Sequence, residues 1–456
     1  MLYSYQLNNK HLMDKLLSSH DIISFDMFDT LISRPFARPE DLQEYAGGLK
    51  YKQDRQSGVI PKPSARELEL ELELCRPIPK IQTIFNKALA LNKQIIVISD
   101  MYLPSSFLHT MLTKCGYHIF KDKIFVSCEH NCSKSNTLFS HVQSLFPDKS
   151  ILHFDDADYA IAKATSYGIT AIKVRKVLWD LYDRYPRLKF LPQNNLSLRY
   201  YLGWLAQQPI HSNYFKQMGF MLGVIGYGFA QFVNTQAHAL NIQTLLFLSR
   251  DMYVIHKFYN RLKNVKDNHY VFHSRRISRN GKNYDWYYNN YKSGKTALVD
   301  TTSTTYTAQG TIRADAQIYE MVGDTLRNPT KNIEPITWAG TYKNSLRPNP
   351  FLELLWTEPV ESVIDLIQLD EDTIKIVRGT EDKRDNTKIK EMVEGQLEFE
   401  PLPNIFFSFQ DCKDVFRNFI DGLTTKELEY IDQLAIYQDD HHSIRRESVE
   451  PNLIGI

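Results

Sequence analysis

Three short β-prone runs, each ending on a polar residue able to do chemistry, constrain this 456-residue chain more than any other feature. Asp21-Ile22-Ile23-Ser24-Phe25 ends at Asp26, and Ile95-Ile96-Val97-Ile98 ends at Ser99-Asp100. Ile151-Leu152-His153-Phe154 runs into Asp155-Asp156-Ala157-Asp158. Runs with such short, largely apolar character suit parallel strands buried on both faces by helices. Sheets of that kind hold ligands at the carboxyl ends of their strands. The fold class is therefore α/β, with ligand-handling residues gathered along one sheet edge.

Asp26 alone reads equally well as a capping residue or as a nucleophile attacking phosphorus or carbon through a covalent intermediate. The later segments favour chemistry. Lys134, within Ser133-Lys134-Ser135, falls between the second and third runs. Carboxylate, hydroxyl, lysine and acid pair make a phosphoryl-transfer set. Asp26 attacks, while Ser99 and Lys134 hold and neutralise the phosphoryl oxygens. Asp155 and Asp156, with Asp26, supply the hard oxygen ligands that Mg²⁺ prefers. Without a metal or lysine, crowded acids would raise one another's pKa and repel an anionic substrate.

These residues resemble the four motifs of the haloacid dehalogenase superfamily, across roughly residues 20–175. More narrowly, the chain is similar to the large predicted hydrolases of that superfamily encoded among bacterial polysaccharide and glycosyltransferase genes. The likeness is carried by Ser24–Arg34 (SFDMFDTLISR), Ile98–Pro104 (ISDMYLP), Phe247–Tyr253 (FLSRDMY) and Phe351–Pro359 (FLELLWTEP). The resemblance implies a Rossmann-like parallel sheet with a short helical cap insertion at about 35–93. It also implies Asp26 as nucleophile, Ser99 and Lys134 as phosphate ligands, and Asp155 or Asp156 as the acid that holds Mg²⁺. The implied substrate is a phosphorylated sugar or glycan intermediate of surface-polysaccharide synthesis, with glycosyltransferases as partners.

Two positions depart from the family pattern. Its phosphatases carry a general acid two residues after the nucleophile, where this chain has Phe28; the nearest acid is Asp29. In an extended segment Asp29 would point away from the leaving group. A missing acid costs about 10²–10⁴ in rate. An aromatic here resembles the metal-free carbon–halogen hydrolases, although Asp155-Asp156 argues for metal. In the acidic loop, Phe154-Asp155-Asp156-Ala157-Asp158 replaces the usual Gly-Asp-Asn start, and Ala160 or Ile161 fills the later acid position. The alternative to catalysis is a catalytically weak binding or scaffold protein that recruits glycan-synthesis enzymes.

The domains expected are 1–178 for the hydrolase-like part, 179–240 for a helical connection, and 241–456 for a second α/β domain. In the last, Leu245–Leu248 ends at Ser249-Arg250-Asp251, Tyr270–His273 at Ser274-Arg275-Arg276, and Ala297–Val299 at Asp300. Arg250, Asp251, Arg275, Arg276 and Asp300 thus form a candidate second ligand site for phosphate or a sugar nucleotide. In the insertion, Glu67, Glu69, Glu71 and Glu73 alternate with leucines as in a strand, but the absence of β-branched residues favours a helix. Tyr45–Gly48 and Ser57-Gly58 read as loop.

A formal net charge of +1 argues against a general electrostatic grip on nucleic acid. The five cysteines read as reduced, consistent with a cytoplasmic location, peripheral to the inner membrane at most. Phe215–Val233, apolar but carrying Lys216, reads as a buried helix and not as a membrane span.

Overall fold

The computed structural model describes residues 2–3, 10–274, 277–278, 280–291, 294–301, 317–320, 336–337, 355–360, 363–370, 373–379 and 385–427. The chain divides into two compact units, Met1–Pro209 and Ile210–Ile456. The helical stretch expected at 179–240 as a connection of its own is shared between them. Leu196–Gln207 lies in the first unit and Tyr214–Ala239 in the second.

The first unit is built on a sheet of six parallel strands: β1 (Leu2–Tyr3), β2 (Ile22–Phe25), β5 (Gln94–Ser99), β6 (Ile124–Val126), β7 (Ile151–Asp155) and β8 (Thr170–Lys173). A small antiparallel pair, β3 (Ile32–Ser33) and β4 (Arg76–Pro77), lies outside it. The sheet order is β1-β8-β7-β2-β5-β6. The apolar runs do not alternate because helices cover both faces. Ile23, Phe25, Val97, Leu152 and Phe154 pack in one core. Ile22, Ile96, Ile98 and Ile151 pack in the other. The three residues of β6 were too short a run to stand out in the sequence.

The insertion between β2 and β5 is largely helical: Asp41–Gln56, Ala65–Leu74 and Pro79–Ala90. Tyr45–Gly48, expected as loop, lies inside the first helix, which breaks at Gly48 (φ 82°). Ser57-Gly58 does end that helix, with Gly58 at φ 78°. The alternating glutamates sit on a helix as propensity favoured. Its period buries Glu67 and Glu71 and exposes Glu69 and Glu73. Each buried carboxylate is met by donors. Glu67 accepts from Tyr51 (2.6 Å), Tyr102 (2.7 Å) and Arg55 Nε (3.0 Å), and Glu71 pairs with Arg34 at 2.6 Å. Tyr102 follows the end of β5, so the insertion is pinned to the loop beside Ser99.

The second unit holds a five-stranded parallel sheet: β9 (Thr244–Leu248), β10 (Asp267–Val271), β11 (Thr296–Asp300), β12 (Gln317–Glu320) and β13 (Ile336–Thr337), in the order β10-β9-β11-β12-β13. A hairpin, β14 (Val363–Gln368) and β15 (Ile374–Arg378), is separate. The Gly-rich helix Tyr214–Ala239 packs against helix Asn386–Leu397 at backbone contact. A Cβ on Gly219 would stand 1.9 Å from the Met392 carbonyl oxygen, and one on Gly395 would stand 2.0 Å from that of Lys216. Among the described residues, no helix is long and apolar enough to cross a membrane.

Candidate active site

From β2 the chain winds outward through β5 and β6, then returns on the opposite side as β7 and β8. The reversal leaves a crevice beyond the carboxyl ends of β2 and β7, where such sheets bind ligands. Phe25 is in register with Phe154, and the Asp26 amide donates to the Phe154 carbonyl at 2.8 Å. Asp26 and Asp155 therefore leave the sheet side by side.

Oxygens of Asp26, Asp155 and Asp156 lie within 4.8 Å of one another. Lys134 Nζ bonds Asp26 Oδ1 and Asp155 Oδ2, each at 2.6 Å, and is almost wholly buried. The lysine is itself placed from β5: its amide donates to Asp100 Oδ1 at 2.8 Å. Asp155 Oδ1 accepts the Ala157 amide at 2.8 Å, and His153 Nε2 lies 3.1 Å from Oδ2. The other ring nitrogen of His153 meets Ser24 Oγ at 2.8 Å. Ser99 is buried at the end of β5, and its side chain has no hydrogen-bond partner among the described residues.

Asp29 requires a correction. The segment after Asp26 is not extended. Leu31 and Ile32 both donate to the Met27 carbonyl, Asp29 donates to that of Ile32, and Asp29 takes φ 56°. This turn swings the Asp29 carboxylate back toward the acids, where Lys176 Nζ bridges it (2.9 Å) to Asp156 (3.0 Å). Phe28 instead lies under the Arg34 guanidinium, 3.8 Å from its ring centroid. Asp158 pairs with Lys173 at the start of helix Asp158–Ser166, and Ala160 and Ile161 are buried in that helix. Neither later position adds a ligand to the acid cluster.

The electrostatics separate the acids. Burial pushes the Asp26 carboxyl up to about 7, and the charges of Asp155 and Asp156 add to this against the pull of Lys134. Burial acts on Asp155 too, but Lys134 and His153 outweigh it and hold it below the usual carboxylate range. Asp156 is raised, chiefly by burial. Lys134 stays charged: burial disfavours its ammonium, and two adjacent carboxylates more than compensate.

With all ionised, the four carboxylates and two ammonium groups of this cluster carry a formal charge of −2. A divalent cation balances that charge. The oxygen-only donors suit a hard ion such as Mg²⁺, Mn²⁺ or Ca²⁺ and do not choose among them. The set therefore fits a metal.

Of the residues singled out in the sequence, the fold joins Asp26, Lys134, Asp155 and Asp156 directly. Lys176, Asp100 and His153 are additions. Lys176 lies just past β8, and the rule that ligands gather at strand ends could have flagged it; its partners could not be read that way. In the second unit Arg250 donates to the Val360 carbonyl (2.9 Å), and Asp251 accepts from Thr357 Oγ1 (2.9 Å). Both tether segment 355–360. Asp300 is buried and accepts the Thr301 amide at 2.7 Å, while Arg275 and Arg276 lie outside the described residues.

Neither a family model nor a curated protein matches this chain.

Proposed function

We propose that the chain is a metal-dependent phosphohydrolase or phosphoryl-transfer enzyme of the haloacid dehalogenase type. It would act through an aspartyl-phosphate on a phosphorylated sugar or glycan intermediate in bacterial surface-polysaccharide synthesis. The observation that carries this reading is Lys134 bridging Asp26 and Asp155 beside Asp156, at the crevice of a parallel sheet. A lysine held by two carboxylates is a fixed positive charge facing the place where phosphoryl oxygens would gather.

Asp26, Asp155 and Asp156 would hold the cation, which would orient the phosphoryl group and offset its charge. An Asp26 oxygen attacks phosphorus, and the bond from phosphorus to the leaving oxygen breaks. That oxygen takes a proton from Asp29 or from water. Water then attacks the phosphoaspartate, releasing inorganic phosphate and restoring Asp26. Ser99 and Lys134 would bind the phosphoryl oxygens in both steps.

The rival reading is a binding or scaffold protein of weak activity. Phe28 at the usual acid position favours it, because its ring is engaged by Arg34 and can supply no proton. Phosphate release from a panel of phosphosugars, with Mg²⁺ and beside Asp26→Asn, separates the two. Release by the wild type that disappears in the variant supports the enzyme; release no greater than the variant's sinks it.

A further inference from the structure

A cleft of about 510 Å³ opens in the first unit next to the acid cluster. Asp29 and Lys176 are among its lining residues, and Lys176 reaches Asp156 at 3.0 Å, so the cleft adjoins the acid cluster. Phe36, Trp179 and Tyr182 supply aromatic wall, and Lys189 also lines the cleft, with its ammonium over the Trp179 ring. The insertion at 35–93 contributes Phe36, Ala37 and Pro39 to the lining. The selecting wall comes mainly from the chain that follows the sheet.

Two features define what this space accepts. Trp179 is 48% exposed although Tyr182 packs edge-on against it at 5.7 Å. An indole left so open is a flat apolar platform for the C–H face of a ring. The cations differ in how far they are matched. Lys176 is shared by Asp29 and Asp156, and Arg34 is paired with Glu71. Lys189 is exposed, lies 5.7 Å from the Trp179 ring centroid, and has no carboxylate partner among the described residues. It places on the wall of the cleft, over the indole, a positive charge that no carboxylate of the described residues balances.

We infer that this cleft, formed largely by 176–206, binds the leaving group of the substrate, a sugar ring on Trp179 whose second phosphate pairs with Lys189. The inference rests on the phosphosugar reading above and adds the second anionic group and the residues that select it. A monophosphorylated sugar would fill the phosphoryl site and leave Lys189 unused. A sugar bisphosphate would engage both the phosphoryl site and Lys189.

The test is binding, measured apart from turnover. Full-length Asp26→Asn protein with Mg²⁺ is titrated calorimetrically with glucose 1,6-bisphosphate and with glucose 6-phosphate. The bisphosphate should bind at least about tenfold more tightly, the effect of 1.4 kcal/mol. Adding Lys189→Ala should erase that preference, and adding Trp179→Ala should weaken both ligands by a similar factor. Both side chains are substantially exposed, so their removal leaves the fold intact, as circular dichroism would verify. Equal affinities for the two sugars, no binding of either, or a preference that survives Lys189→Ala would overturn the assignment. Phosphate release by wild type separates the premises: binding as expected without release sinks the hydrolase reading alone, whereas release without this binding pattern sinks the cleft assignment alone.

Discussion

Replacing Lys134 with methionine tests the central electrostatic claim. The ammonium sits 2.6 Å from both Asp26 and Asp155 and is nearly inaccessible to water. Removing one partner from a buried ion pair costs about 3–5 kcal/mol, because the remaining charge stays buried without compensation. Here two carboxylates lose their cation, and methionine keeps the volume. The cost should depend on pH. With its carboxyl at about 7 in the wild type, Asp26 moves higher once Lys134 is gone, so the variant holds a proton that the wild type has released. A carboxyl raised in the folded state contributes stability at low pH that is lost as pH rises through its folded value. The penalty should therefore be larger at pH 8 than at pH 6, by roughly 1 kcal/mol. A divalent cation at about 100 times its dissociation constant should return about 2.7 kcal/mol to a state that binds it. Hydrogen exchange of the β2 and β7 amides reads opening of this unit directly. A penalty under about 1 kcal/mol at pH 8 without metal, or one that grows toward acid, would refute the reasoning.

Asp29→Asn should slow turnover of sugar phosphates about 10²-fold or more, yet barely affect p-nitrophenyl phosphate, whose leaving group needs no proton; equal slowing of both would remove Asp29 from the acid role. His273, buried against Tyr288 and Ser278, is held down to about 4 by burial. Its unfolded form takes a proton near pH 6.5, so stability should fall by about 3 kcal/mol between pH 6.5 and 4. Urea unfolding of His273→Gln should lose that part of the pH dependence; an unchanged profile would assign it elsewhere. Gly219→Ala sets a methyl 1.9 Å from the Met392 carbonyl oxygen. The resulting separation of the two helices should cost about 1–3 kcal/mol despite the better helix propensity of alanine, and a variant as stable as the parent in thermal unfolding would disprove the tight contact.

Much of the first unit was legible along the chain because buried parallel strands advertise themselves as apolar runs, and because such strands carry chemistry at their ends. Asp26, Ser99 and Asp155 could be placed on that basis, and the glutamate-rich helix could be told from a strand by its side-chain types. What local pattern could not supply was the turn after Asp26. Its conformation depends on Leu31 and Ile32 closing onto the Met27 carbonyl, and that turn brings Asp29 to Lys176. The same limit applied to Arg250 and Asp251, whose hydrogen bonds to segment 355–360 join residues more than a hundred positions apart.

The order of carboxylate, hydroxyl, lysine and acid pair, and the α/β class, follow from residue type and short-range periodicity, which sequence carries directly. The ion-pair partners, the cleft walled by Trp179 and Lys189, and the burial that lifts Asp26 depend on contacts between residues scores of positions apart. Those contacts exist only after the chain doubles back between β2 and β7, since proximity and desolvation are properties of the packed sheet and not of the residues that compose it.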